Sequence, residues 1–125
     1  MATLSTAARN AACDAIVDLI DGGSGDANGD LQFQTSGSSA VATLQFSATA
    51  FGSASTGVAT AAAITSDTNA AGGTTTKAVI RDKSNATVMT VTVGTSGSEI
   101  NLSSVAIGSG DTVSVSSLTV TMPAT

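Results

Sequence analysis

Seventy-three of the 125 residues are Ala, Gly, Ser or Thr, and the chain has nine acidic and four basic residues but no His, Trp or Tyr. Without His, the commonest general base, we expect no enzymatic activity, no catalytic residues and no cofactor. The formal net charge of −5, with no basic stripe, argues against binding to nucleic acid through phosphate neutralisation.

The length and the apolar composition predict a single small domain, residues 1–125, with a thin hydrophobic core. Small cores often gain stability from partner subunits, so we expect a homo-oligomer, with a trimer as one form. The single cysteine, Cys13, excludes an intrachain disulfide and is interpreted as a buried structural residue. The first residues show neither a signal peptide nor a membrane span, which indicates synthesis in a reducing cytoplasm and no membrane partner.

A helical pattern begins at Ser5 or Thr6, whose hydroxyls can cap free backbone N–H groups, and it ends before Gly22. Residues 5–21 are therefore predicted to form one α-helix. Apolar residues recur at spacings of three and four on one face, at Ala12, Ile16, Leu19 and Ile20. The opposite face, which we expect to contact solvent, carries Asn10, Asp14, Asp18 and Asp21.

After a loop at residues 24–30 the apolar period changes to two, which predicts strands with one buried face. The predicted strand segments are 31–34, 42–47, 77–81, 87–93 and 100–102, with a hairpin turn at 82–86. Together these elements predict a mainly β fold. We expect a β-sandwich or jelly-roll-like domain over residues 31–122, behind one N-terminal α-helix.

The C-terminal segment contains a change of phase in its alternating pattern. Val113 and Val115 lie on one phase, whereas Leu118, Val120 and Met122 lie on the other. One extra residue at 116–117 would bring the two phases together, so a β-bulge is predicted there. For residues 48–76, rich in Ala, Gly, Ser and Thr, the pattern leaves open whether strands or loops form.

Asp26, Asn28 and Asp30 place oxygen ligands at alternate positions, as calcium-binding loops do. The match to an EF-hand stops there, because Leu31 stands where the turn glycine belongs and Gly37 where the bidentate Glu belongs. Asp, Asn and Gly also form ordinary turns. We favour an ordinary turn, with a weak calcium site as the alternative.

Short segments along nearly the whole chain resemble a family of small virion structural proteins of tailed bacteriophages. The segments that carry the resemblance are 4–12, 51–52, 57–60, 93–97, 101–102, 113–117 and 121–124. The chain departs from the family at 78–80, where members often carry aromatic residues. None of these segments is a catalytic signature.

The resemblance implies a structural protein that decorates and stabilises a phage capsid by bridging capsid subunits, a decoration or cement protein. Its partners would be the major capsid protein or other virion subunits, and its location the virion. A neck, tail or fibre subunit is the nearest alternative. A small carbohydrate- or calcium-binding β-module is the third.

Overall fold

The computed structural model describes residues 2–124. It contains the predicted N-terminal helix: α1 spans Thr6–Asp18 and continues as a short 3-10 helix, Leu19–Asp21. Ser5 caps α1, because its side-chain oxygen accepts a hydrogen bond from the Ala8 N–H at 3.1 Å. The start and the end of the helix therefore follow the local sequence signals.

The buried face of α1 differs from the predicted apolar stripe. Cys13, Val17 and Ile20 are at most 2% exposed, whereas Leu19 is 59% exposed. Ala12 and Ile16 are only half-buried. The sequence contains two apolar sets at helical spacing, one residue apart, and packing against the strands selects the second set.

Within the described residues, nine strands follow the helix. They are β1 (Asp30–Gln34), β2 (Ala40–Gln45), β3 (Val58–Thr60), β4 (Gly73–Thr74), β5 (Lys77–Arg81), β6 (Thr87–Gly94), β7 (Ile100–Asn101), β8 (Ala106–Ile107) and β9 (Thr119–Thr121). Five of them form one mixed sheet in the order β2-β1-β5-β6-β7, in which only the β6–β7 pair is parallel. Two antiparallel ribbons, β3–β9 and β4–β8, complete the β structure.

The register of the five-stranded sheet aligns its apolar residues on one face. Leu31 lies opposite Leu44 on β2 and Ile80 on β5, and Phe33 lies opposite Ala42 and Ala78. All six are at most 2% exposed. Their removal from water is the main stabilising contribution of the sheet, about 25 cal/mol per Å² of apolar area. The same core cluster includes the buried residues of α1.

The predicted hairpin turn at 82–86 is confirmed, and Asp82 organises it. The Asp82 Oδ1 atom accepts hydrogen bonds from the Ser84 N–H at 2.8 Å and the Ala86 N–H at 3.0 Å. Asn85 adopts a left-handed conformation, with φ of 64°, which Asn tolerates better than most residues. The turn therefore follows directly from the residues that form it.

The predicted bulge at 116–117 is wrong, because residues 113–122 do not form one strand. Val113 makes an isolated antiparallel bridge with Asp67, whereas β9 pairs with β3 through Ala59 opposite Val120. The change of phase in the sequence therefore marks a change of pairing partner. Register shifts occur elsewhere, between Phe33 and Gln34 and between Ile80 and Arg81.

Residues 48–76, left open by the sequence, form short strands within long loops. β3 and β4 are the strands of this region, and isolated bridges join Phe51 to Ala61 and Asp67 to Val113. The predicted fold class is confirmed: the protein is a small, mainly β, sandwich-like domain with one N-terminal helix. The helix contacts β3 and β9 of its own chain.

Candidate interaction surface

The polar face of α1 holds a loop of the same chain, so the prediction that this face contacts solvent is wrong for three of its four residues. The loop at residues 46–57 folds over the helix and donates backbone N–H groups to it. The donors are Gly57 to Asn10 Oδ1 at 2.8 Å, Ala54 to Asp14 Oδ1 at 2.7 Å, and Ala50 to Asp21 Oδ1 at 2.9 Å. Asp18 remains exposed. Three polar side chains of α1 and its 3-10 extension thus accept the backbone hydrogen bonds that a neighbouring strand would otherwise accept from this loop.

Arg9 ties the same loop to the C-terminal segment. Its Nη2 donates to the Thr56 carbonyl at 2.9 Å, and its Nε donates to the Met122 carbonyl at 3.2 Å. Gly57 has a φ of +79°, and a Cβ added there would lie 2.7 Å from the Arg9 Nη2. The backbone conformation therefore favours glycine at this position, and a larger residue would also displace the end of the Arg9 side chain.

Asp30, one of the three candidate calcium ligands, forms an ion pair with Arg81. Its Oδ1 lies 2.7 Å from the Arg81 Nε and its Oδ2 accepts from the Arg81 Nη2 at 2.9 Å, with Asp30 only 4% exposed. The hydrogen bond to Asp30 raises the pKa of Arg81, and the charges of Asp30 and Asp26 add to this while burial opposes it. The cation beside this carboxylate is a guanidinium.

The other two candidates lie near this pair without completing a ligand set. Asp26 is exposed and its backbone N–H donates to the Lys83 carbonyl at 2.9 Å, while Asn28 is half-buried. Across residues 2–124, no group of three or more His, Cys, Asp and Glu residues could hold a metal ion. A calcium ion would have to displace Arg81 from both Asp30 oxygens.

The β2 edge of the five-stranded sheet is covered by the chain itself. Asp67 accepts the Thr43 N–H at 2.9 Å, the Thr65 N–H donates to the Gln45 carbonyl, and the Gly72 N–H donates to the Val41 carbonyl. Exposed strand edges pair readily with other chains, so this cover removes one route to association.

The opposite side of the molecule has an uncovered strand edge at β9. The Ala61 N–H donates to the Leu118 carbonyl, and the Met122 N–H donates to the Gly57 carbonyl. Because bonding alternates along an antiparallel ladder, the backbone groups of Thr119 and Thr121 point away from β3. No second strand pairs with β9 in the described chain.

A groove runs beside this free edge, between β9 and the β6–β7 edge of the large sheet; we call it the edge groove. Two adjoining cavities of about 260 and 240 Å³ form it, and both are lined by Glu99, Ile100, Leu118 and Thr119. Met89 and Val91 are half-buried along it, and Ile100 and Val120 are 7% and 9% exposed. The groove is apolar beside β6 and β9 and polar toward the serines of residues 114–117, with free backbone groups along one edge.

The edge groove carries few ionisable side chains. Its one charged lining residue is Glu99, whose carboxylate accepts a hydrogen bond from the Thr92 N–H at 3.3 Å. The Ser and Thr hydroxyls that line it have no His beside them, since the chain contains none. Cys13 is fully buried, as expected, and its Sγ donates to the Val120 carbonyl at 3.3 Å.

The sequence did not predict the edge groove. Residues 112–125 contain no Asp, Glu, Lys or Arg, but residues 31–66 contain none either, so the charge pattern does not single out this segment. A comparison of the chain with known protein families, curated proteins and solved structures gave no match. None of the helices in residues 2–124 has the length and apolar character needed to cross a membrane.

Proposed function

We propose that this protein is an accessory structural component of a bacteriophage virion that decorates the capsid and stabilises it by bridging capsid subunits. The phage assignment rests on the sequence resemblance at both ends and in the middle of the chain. The observation that supports a binding role is the edge groove, which is apolar beside β6 and β9 and follows a strand edge with unpaired backbone groups. Such edges bind protein segments by adding a strand.

The internal use of charge also supports a structural role. Of the nine acidic residues, six accept hydrogen bonds from backbone N–H groups and Asp30 pairs with Arg81. Carboxylates used in this way hold loops in place. The result is a set of anchored loops together with an uncharged segment at residues 112–125.

Decoration would stabilise the capsid by mass action. A protein that binds the mature shell and not its dissociated subunits adds RT ln(1 + [L]/Kd) to the stability of the shell, about 2.7 kcal/mol at a concentration one hundred times the Kd. The protein would be synthesised in the host cytoplasm and act in the virion. Its partner in this role would be the major capsid protein.

Binding to isolated capsids tests the proposal. Purified protein is mixed with mature capsids that lack it, the capsids are sedimented, and copies per particle are counted. We expect saturable binding at hundreds of copies per particle and a higher temperature of capsid disruption. Capsids already carrying the protein are the matched control and should bind none. Absence of binding to the bare capsids would contradict the proposal.

The copy number separates decoration from the alternatives. A neck, tail or fibre subunit has the same use for an edge groove but would occur in few copies per virion. The carbohydrate- or calcium-binding module has less support, since Arg81 occupies the Asp30 carboxylate and the chain lacks Trp and Tyr for stacking on sugars.

A further inference from the structure

The free edge of β9 is self-complementary. The residues whose backbone N–H and C=O groups point away from β3 are Thr119 and Thr121, placed symmetrically about Val120. In an antiparallel pair of two β9 strands around a two-fold axis, Thr119 lies opposite Thr121 of the partner subunit, and Thr121 lies opposite the partner's Thr119. Each pair exchanges N–H and C=O groups, which gives roughly four backbone hydrogen bonds.

The residue that follows β9 limits the pairing to this short register. Pro123 is also at an outward position of the alternation, and it has no N–H to donate. A longer pairing, or a register shifted toward the C-terminus, would place Pro123 where a donor is needed. The register centred on Val120 uses every outward N–H of β9 and avoids the proline.

Charge favours a second copy of this chain as the occupant of the edge. A net charge of −5 opposes contact between copies over most of the surface. Residues 112–125 carry no charged side chain, whereas Glu99 in the groove wall and Asp111 accept hydrogen bonds from the Thr92 and Gly108 N–H groups and keep their charge. Strand β9 itself therefore adds no like-charge repulsion to a contact between two copies.

A head-to-tail pairing that would build a trimer is less favourable. The other edge beside the groove is β7, whose Leu102 N–H donates to the Gly94 carbonyl of β6, so Asn101 alone points its backbone groups outward. Pairing β9 with β7 of another copy would thus form fewer hydrogen bonds than pairing β9 with itself. The number of available backbone groups selects the two-fold arrangement.

We propose that the protein forms a two-fold dimer in which β9 strands pair antiparallel, so that the ribbons of the two copies join as β3-β9-β9-β3 across the edge groove. In the dimer, each surface outside the β9 contact occurs twice, related by the two-fold axis. Two such surfaces could contact two capsid subunits, as bridging requires. The dimer proposal does not depend on the capsid assignment, because it concerns the purified protein alone.

The first test is the mass of the purified full chain over a concentration series, by analytical ultracentrifugation. We expect a monomer–dimer equilibrium for the natural sequence. Thr121→Pro removes an outward N–H of β9 and leaves its bonds to β3, so it should eliminate the dimer over the same series. Thr121→Val keeps the backbone donor at this exposed position and should dimerise as before. A monomer at all concentrations, or a trimer, would overturn the proposal.

A disulfide experiment tests the register and does not depend on the fold of the proline variant. Directly opposed residues in such a ladder have Cα atoms about 5.5 Å apart, within the range that a disulfide spans. Under mild oxidation, a mixture of Thr119→Cys and Thr121→Cys chains should form a covalent dimer, whereas either variant alone should form little. Native Cys13 is 0% exposed and serves as the unreactive background. Equal cross-linking by the single variants would contradict the pairing.

The two proposals fail in different ways. A dimer that does not bind capsids leaves the pairing intact and removes the decoration role. Capsid binding by a protein that remains monomeric leaves the decoration role intact and removes the pairing. Measuring both properties on Thr121→Pro and Thr121→Val separates the surface used between copies from the surface used toward the shell.

Discussion

The loop at residues 46–57 and strand β9 both have backbone N–H groups that do not bond to a neighbouring strand. At the loop, Asn10, Asp14 and Asp21 accept three of these groups. At β9, the chain provides no such acceptors, and residues 112–125 contain no Asp or Glu at all. The comparison teaches that the position of a few carboxylates decides which backbone groups are satisfied within the chain and which remain for another one.

Removing the ion pair between Asp30 and Arg81 should cause the largest loss in the free energy of unfolding. Asp30→Ala leaves the Arg81 guanidinium without its partner in a largely buried position, and we expect a loss of about 3 kcal/mol in the free energy of unfolding. Asp26→Ala removes an exposed carboxylate that forms no hydrogen bond within residues 2–124 and should cost under about 0.5 kcal/mol. Urea denaturation of both variants measures the difference. Equal losses would contradict a stabilising role for the Asp30–Arg81 pair.

The pH dependence of this pair follows from the raised pKa of Arg81. Its contribution is present below the ordinary pKa of arginine and is lost only as pH rises through the still higher value in the fold. The difference between the natural chain and the Asp30→Ala variant should therefore stay constant from about pH 7 to 10. Denaturation series at several pH values check this, and a difference that shrinks steadily over the range would contradict it.

Removing one loop anchor should have an intermediate effect. Asp14→Ala leaves the Ala54 N–H without its acceptor, and we expect a loss of about 1–2 kcal/mol. Asp18→Ala is the matched control, because Asp18 lies one turn further along α1, is exposed and should change stability by less than about 0.5 kcal/mol. If both substitutions cost the same, the helix face does not hold the loop.

A glycine substitution in the same loop tests its conformation. Gly57→Ala places a side chain at a φ of +79° and against Arg9, so it should cost about 1–2 kcal/mol. Gly52→Ala adds a methyl group whose nearest neighbour, the Thr60 carbonyl oxygen, lies 3.8 Å away, and should be close to neutral. Thermal unfolding of the two variants gives the comparison.

Calcium should have the smallest effect of all. Arg81 already binds both oxygens of Asp30, so millimolar calcium should change the midpoint of thermal unfolding by less than about 1 °C. A chelator such as EDTA should likewise leave it unchanged. A clear rise with calcium, reversed by the chelator, would favour the calcium-binding alternative and would require Arg81 to move.

The strands and turns that follow local rules were predictable. Ser5 capped the helix, Asp82 organised the hairpin turn, and alternation at Leu31 and Phe33 predicted a strand with a buried face. These features depend on residues close together in sequence. Periodicity was less reliable for the helix face, because Ile16 and Val17 belong to two apolar sets and only packing distinguishes them.

The candidate site was the least predictable part. The sequence pattern placed Asp30 in a turn, with calcium binding as the alternative. Its ion-pair partner, Arg81, lies 51 residues away in the sequence, so the local pattern did not indicate it. The edge groove joins Ile100 to Leu118 and Val120 across strands whose pairing the pattern did not specify. Such long-range neighbours depend on register and loop closure, which small, similar side chains do not encode strongly.

The class of the molecule follows from the sequence alone: a mainly β domain with one N-terminal helix, little apolar bulk and no His. Alternation, caps and turn residues suffice for this because each acts over a few positions. Only the tertiary structure decided which carboxylates hold loops, which cation faces Asp30, and which strand edge stays open. These depend on backbone groups meeting side chains from distant parts of the chain, and any Asp can satisfy any nearby N–H until the fold brings the two together.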